Sequence, residues 1–503
     1  MTASATLLVA CGGHAVGAST LQTAPTGGSA TSAAAVPEGN WLEFDYNPQR
    51  SGVGPADTGI DADDLGTLQT TRVVHVDGTV DASAVEASGV DVDGVSRDVI
   101  VVTTTYGKTI AIDPGTGARL WEFTPADIRS YVGSSQITTA TPLIDPDLQY
   151  VYSVSPDGMI HKLALATGRE IRSGHWPVRV TFDATHEKIA PALNMSGPNL
   201  VVATGGYIGD IPPYDGHVVV IDRSSGRIVN VWNAQCSDRH RLIRAGSCPG
   251  TNTNGDSAIW GRNAPVIEPD TGKILVATGN GPFNGSTNWG DSVLELSPDA
   301  GRLLHNWTPR DQAQLDSSDT DVGSTAPAVL PKAGGYRLAV QGGKAGVLDL
   351  LNLNRLDGTT GRAGSRLGGQ LQQISSPGGG QVLTAPAVWS DGGRIYVFVA
   401  DDSGTAAYVL RFGHGPRLLT AWQNGTGGTS PVLAGGLLYV YDEQGGKLNV
   451  YSPTGGRLLD SLSAAGGHWN SPIVVGGRIV LPTGNANDHA TSGQIFIYHL
   501  PGR

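Results

Sequence analysis

Charge is scarce in this 503-residue chain: Asp, Glu, Lys and Arg make up only 16% of it, and 45 acids against 33 bases leave a net charge of -12. Nucleic-acid binding draws its affinity from Lys and Arg clustered on one face. The sequence has no such cluster, which excludes nucleic acid as a partner. The acidic balance otherwise serves solubility. No heptad or long helical stripe is present, and no stretch approaches the roughly 18 apolar residues of a membrane-spanning helix. Cysteine is limited to Cys11, Cys236 and Cys248, with no Cys-x-x-Cys-His haem attachment site.

What the chain has in quantity is glycine, 71 residues, and proline, 30, spread along its length rather than pooled. That is the composition of short strands joined by tight turns. Length alone would suggest several domains, but a repeat architecture of this size can close into one unit, so internal repetition decides the matter.

The clearest repeat is Thr109-Ile110-Ala111-Ile112-Asp113-Pro114-Gly115-Thr116-Gly117 followed by Leu120-Trp121. Alternating apolar residues predict a strand, Asp113 accepts hydrogen bonds from the turn, Gly117 supplies a positive φ, and Trp121 on the return strand packs between sheets. The same grammar recurs at Leu163 to Gly168, Val220 to Gly226 with Trp232, Leu294 to Gly301 with Trp307, Val347 to Asp349, Tyr408 to Leu410 with Trp422, Val450 to Gly455 and Ile495 to Tyr498. A proline opening an apolar strand precedes most of these hairpins, at Pro142, Pro191, Pro265, Pro327, Pro386, Pro431 and Pro472. At a strand start proline forfeits no ladder hydrogen bond.

The spacing suits one four-stranded blade per unit, so the fold expected is all-β: an eight-bladed β-propeller of antiparallel blades over residues 41–503. The longest interval, Pro191 to Pro265, holds an inserted loop at about 233–256 with Cys236 and Cys248. The eighth hairpin runs into the C-terminus without a return strand, so its outer strand must come from elsewhere; Trp41 to Gly52 resembles the segment that opens propellers of this kind and joins their last blade, and is expected to supply it. Closure of this kind removes a sheet edge.

Leu7-Leu8-Val9-Ala10-Cys11-Gly12-Gly13 resembles a bacterial lipobox, which implies lipidation of Cys11, a signal remnant at 1–11 and export. No positively charged region precedes it. Residues 12–40 are rich in Ala, Ser, Thr and Gly, as a tether would be. With Cys11 lipidated, the remaining pair, Cys236 and Cys248, is expected to form a disulfide worth ~2–3 kcal/mol through loop closure. An extracytoplasmic, lipid-anchored monomer follows as the expectation.

From Trp41 onward the chain resembles the pyrroloquinoline quinone (PQQ) repeat propellers, a superfamily holding both quinoprotein alcohol dehydrogenases and the propeller lipoprotein of outer-membrane assembly. Ser257-Ala258-Ile259-Trp260-Gly261 is similar to the stretch that lays a tryptophan under the quinone, and Ala277-Thr278-Gly279-Asn280-Gly281 to the strand end whose asparagine helps hold calcium. The run from Thr308 through Asp316 and Asp319 to Asp321-Val322-Gly323-Ser324 resembles the region of the catalytic aspartate. Asp321 is the preferred match and Asp316 the second candidate. Lys344 matches the basic residue at the quinone oxygens. Where a glutamate calcium ligand is expected, Gly205 to Asp210 offers only Asp210, and the family's vicinal Cys-Cys pair is absent. His217 and His468 read as structural.

The resemblance leaves two functions open. One is a tethered dehydrogenase using PQQ and calcium to oxidise an alcohol or sugar, with Trp260 and Lys344 on the cofactor, Asn280 and Asp210 on the metal, and Asp321 as base. The other is a non-catalytic scaffold that binds protein or carbohydrate across the propeller face.

Overall fold

A computed structural model describes residues 39–208, 211–248, 256–356 and 367–501. Cys11 and Asp210 lie outside them. Within the described residues the chain forms eight four-stranded antiparallel sheets and one two-stranded sheet. Blade 1 runs outward in chain order through Val85–Val92, Val95–Thr103, Thr109–Ile112 and Arg119–Phe123. The inner strands of blades 2 to 7 begin at Leu143, Asn194, Val266, Ala328, Ala387 and Val432, and that of blade 8 at Ile473. Six of these seven starts lie one residue past a proline of the repeat, and Asn194 lies three past Pro191.

The apolar strands alternate between two burial partners, the blade before and the blade after, and are therefore apolar on both faces. Cross-blade wedges fix the spacing. Trp121 leaves the outer strand of blade 1 and donates its indole N–H to Leu165 O of blade 2 (2.8 Å), above Gly168. A Cβ on Gly168 would lie 2.4 Å from the indole, and its φ of +67° favours glycine independently. Trp422 of blade 6 repeats the arrangement over Gly456 of blade 7, donating to Pro453 O (2.7 Å).

Ring closure occurs as expected in kind but not in place. The outer strand of blade 8 is Gln69–Val76, which pairs antiparallel with Gly493–His499 from Gln69 opposite His499 to Val76 opposite Gly493. Trp41 to Tyr46 does not join that sheet. Trp41 instead bridges Glu86 on the inner strand of blade 1. Gln69–Val76 wins the edge because it has eight consecutive residues free to pair, whereas Trp41 to Gly52 is interrupted by turns and Pro48.

The displaced segment does other work. Residues 41–58 run through the channel and bond to every blade in turn. Leu42 O accepts from Ile144 N of blade 2 (2.8 Å), Arg50 Nη2 donates to Leu193 O beside blade 3 (2.6 Å), and Pro48 O accepts from Ile267 N of blade 4 (2.9 Å). Gln49 Nε2 donates to Val329 O of blade 5 (3.0 Å), while Ser51, Gly52 and Thr58 carbonyls accept from Val388, Leu433 and Gly477 of blades 6, 7 and 8. The segment stops one end of the channel. It carries a buried ionic group, Arg50 Nη1 to Glu43 Oε2 at 3.1 Å, with Asp45 nearby. Burial pushes the Glu43 carboxyl up to about 7 and that of Asp45 to about 8, against the opposing charge of Arg50. Neither oxygen of Asp45 has a hydrogen-bond partner among the described residues.

Melting temperature should distinguish the two roles. Removal of residues 1–38 is expected to leave it unchanged, removal of 1–60 to lower it, and removal of 1–77 to lower it further because the Gly493–His499 edge is then bare. A second expectation concerns pH. A carboxyl whose pKa is raised in the fold holds its proton longer than in the unfolded chain, so stability falls as pH rises from about 4 to about 8. Asp45→Asn should flatten that decline by up to about 1.4 kcal/mol per pH unit, read from urea unfolding across the range.

Candidate functional site

The residues that lead into each inner strand, and the loops joining each second and third strand, gather at the other end of the ring, away from the plug. Trp260 precedes the inner strand of blade 4 and Asn280 sits in that blade's loop; Asp321 precedes the inner strand of blade 5 and Lys344 sits in its loop. Adjacent blades therefore present all four to one corner. Lys344 Nζ lies 2.7 Å from Asp321 Oδ2 and 3.0 Å from Asp319 Oδ1, and 5.5 Å from the centre of the Trp260 ring. The main-chain N–H of Asn280 donates to Asp321 Oδ1 at 2.6 Å.

Asp321 is 3% exposed, so its charge needs these donors. Burial works to lower the Lys344 pKa, but Asp321 and Asp319 outweigh it and push it up. Gly279 makes the approach possible: a Cβ there would lie 2.6 Å from Asp321 Oδ1 and 3.2 Å from Trp260 Nε1. Asp319 takes a left-handed φ of +50°, which aspartate tolerates.

Asp316 lies on the short helix Gln312–Ser317 and does not join the ion pair. Burial raises its pKa, a hydrogen bond from the Gly281 backbone opposes, and the Asp321 charge adds to the rise. Asp291, which the sequence did not single out, is fully buried beside them with its Oδ1 accepting from Val322 N (3.2 Å). Burial and the charges of Asp321 and Asp316 hold its carboxyl well above the usual range.

Across the axis, blades 8 and 1 supply further groups: His468, read from the sequence as structural, and Trp469 and Asp81, which the sequence did not assign to the site. Trp469 stacks on Trp260 with ring centres 5.6 Å apart, and His468 stacks on Trp469 at 4.0 Å. Arg262 stands 5.4 Å from the Trp469 ring centre and binds Asp81 through Nη2 (2.6 Å) and through the Asp81 carbonyl. His468 Nδ1 and the Ala486 N–H also reach Asp81 Oδ2, at 2.8 and 2.9 Å. Burial opposes ionisation of Asp81, but Arg262, His468 and Ala486 hold its carboxyl far below the usual range. Burial and the charge of Arg262 push Lys188 down to about 8, with Asp81 acting against them. A signal for Trp469 existed: it precedes Pro472 as Trp260 precedes Pro265. Nothing in the sequence links Arg262 to Asp81.

His217 is enclosed in blade 3 between Asn233 Oδ1 (2.7 Å) and Glu187 Oε1 (3.3 Å). Cys236 and Cys248 are disulfide-bonded, in the connection from blade 3 to blade 4. Chemically, the corner combines a flat aromatic face, a cation and a buried carboxylate.

Residues 66–322 match the model of the PQQ_2 family, described as outer membrane protein assembly factor BamB. The chain belongs to that family of PQQ-repeat propellers. It is 23% identical over 296 residues to the quinohemoprotein alcohol dehydrogenase ADH IIB of Pseudomonas putida; the match covers 54% of this chain and 40% of the relative. The matched part thus spans about two fifths of that protein. Among solved structures, the quinohemoprotein alcohol dehydrogenase from Comamonas testosteroni superposes with a TM-score of 0.66 at 15% identity, covering 92% of this chain and 81% of the other. A europium-containing methanol dehydrogenase gives 0.65 at 14%, covering 92% and 98%. At such identities the likeness is one of fold. Among the described residues no helix is long and apolar enough to cross a membrane.

The Asp81 cluster yields a stability test. A carboxylate held low contributes stability that is complete above its unfolded value near 4 and is lost as pH falls below it. Asp81→Asn should cost about 3 kcal/mol at pH 7, because Arg262 is left buried without its partner, and the deficit should shrink below about pH 4. Denaturant melts of the two proteins at several pH values measure it.

Proposed function

We propose that this chain is an extracytoplasmic quinoprotein-like propeller that seats PQQ against Trp260 and oxidises an alcohol or sugar, with Asp321 as the base. The supporting observation is the contact set at one corner: Trp260, Lys344 and Asp321 within reach of one another, with Gly279 leaving the space between indole edge and carboxylate clear. Trp469 takes one face of Trp260. Its ring centre at 5.6 Å leaves no gap for a planar ring, which needs ~3.5 Å on each side, so on this reading a quinone would have to use the other face.

Bound there, PQQ would accept the two electrons of the oxidation. Asp321 takes the substrate hydroxyl proton, and Lys344 together with the Asn280 N–H fixes the position of that carboxylate. Lys344 also offers a cation to quinone oxygens. For calcium, Asn280 remains the candidate carried by the resemblance and Asp210 is outside the described residues; among the described residues no three His, Cys, Asp or Glu side chains are set to hold a metal, and no step is assigned to one. Export and an anchor on Cys11 belong to the same reading.

A second reading has its own observation. The Trp260 and Trp469 stack, buttressed by Arg262 and Asp81, crosses the ring centre with side chains, as suits a scaffold that binds protein or carbohydrate on its face. The family description, an assembly factor, points the same way.

Purified protein mixed with PQQ and calcium decides between them, followed by absorbance and by dye-linked oxidation of alcohols and sugars. On the first reading Asp321→Asn lowers turnover by about 10²-fold or more while PQQ still binds, and Trp260→Ala weakens binding itself. Protein that neither binds PQQ nor turns over leaves the scaffold.

A further inference from the structure

The site-bearing end of the ring also carries a groove on blade 3, separate from the Trp260 corner. Phe182, Leu242, Ile243 and the stems of Arg239, Arg241 and Arg244 line a largely apolar volume of about 390 Å³. Phe182 is 48% exposed, and the most exposed large apolar side chains among the described residues, Ile208 and Ile211 at 65% and 61%, lie between Asn199–Ala203 and His217–Asp222 of the same blade. These segments are tied together. Tyr207 donates to Ala184 O at 2.8 Å, next to the Phe182 turn, and a Cβ on Gly246 would meet Pro213 at 3.2 Å. The disulfide closes the loop bearing the arginines, and both its cysteines pack on Ile243.

Arg241 and Arg244 are exposed, and among the described residues neither has a carboxylate within ion-pair distance. The chain as a whole carries -12, so this is a positive, apolar hollow on a negative body. An acidic ligand is repelled elsewhere and attracted here, which gives orientation as well as affinity. A concave seat of this volume takes a leucine- or phenylalanine-sized side chain, and the disulfide lowers the cost of ordering the loop on binding.

We propose that this groove docks an acidic segment of a partner protein, with carboxylates on Arg241 and Arg244 and an apolar side chain against Phe182 and Leu242. The inference goes beyond the cofactor reading and needs neither PQQ nor Asp321, so either can fail alone.

The test uses the full chain and a dye-labelled eight-residue peptide alternating Asp or Glu with Leu or Phe, followed by fluorescence anisotropy. The peptide should bind, more weakly as salt rises, while the matching lysine peptide should not. Arg241→Glu with Arg244→Glu should weaken binding by about tenfold or more, and Phe182→Ser by several-fold with the salt dependence retained. All three positions are exposed, and unchanged melting temperatures would confirm intact folds. Absent peptide binding, or equal binding by wild type and both variants, overturns the proposal. So does loss of binding to phosphatidylserine vesicles in the variants without any peptide binding, which would make the patch a lipid contact.

Discussion

Everything in this molecule depends on one pairing, that of Gln69–Val76 with Gly493–His499. It joins the first blade-forming strand to the last, completes the eighth four-stranded sheet and ties the two ends of the row of blades into a ring. The entropy of closing so long a loop grows only with the logarithm of its length, so the pairing is affordable even between the two ends of the chain. Once it forms, blades 4 and 8 must face each other across an axis, and residues remote in sequence become neighbours.

The two ends of that axis are filled by different physics. At one, residues 41–58 supply backbone carbonyls and donors to all eight blades and bury Glu43, Asp45 and Arg50, whose mutual charges do not fully compensate their desolvation. At the other, charges are better matched: Asp81 with Arg262 and His468, Asp321 with Lys344 and the Asn280 N–H. Carboxylates at the plug are pushed up and Asp81 is pushed down, because the first group has one guanidinium for two acids and Asp81 has several donors to itself. The plug end is thus suited to holding the ring shut, and the open end to holding charge in fixed positions near an aromatic face.

Much of the corner at Trp260 was reached through the resemblance to quinoprotein dehydrogenase segments, and the structure shows its members before an inner strand or in the loop after a second strand. Trp260, Asn280, Asp321 and Lys344 occupy those places in blades 4 and 5, and adjacent blades bring such places together. Asp291 was not legible, since its role comes from burial and from the charges of Asp316 and Asp321, neither of which a spacing reveals. The error over Trp41 to Tyr46 has a similar cause. The sequence shows that a strand is owed to the last blade, but two N-terminal segments could supply it, and only the channel's need for a stopper assigns them.

By itself the sequence determined the blade count, the hairpin turns and the strand starts, because each rests on local chemistry: a turn aspartate, a glycine at positive φ, a proline where no amide is needed. It also placed two cysteines close enough to bond. The tertiary structure alone decided what meets across the axis. Trp469 covering one face of Trp260, Arg262 reaching Asp81, and Phe182 joining Arg241 and Arg244 in one groove all follow from the angle between blades, and that angle is set by the packing of the whole ring.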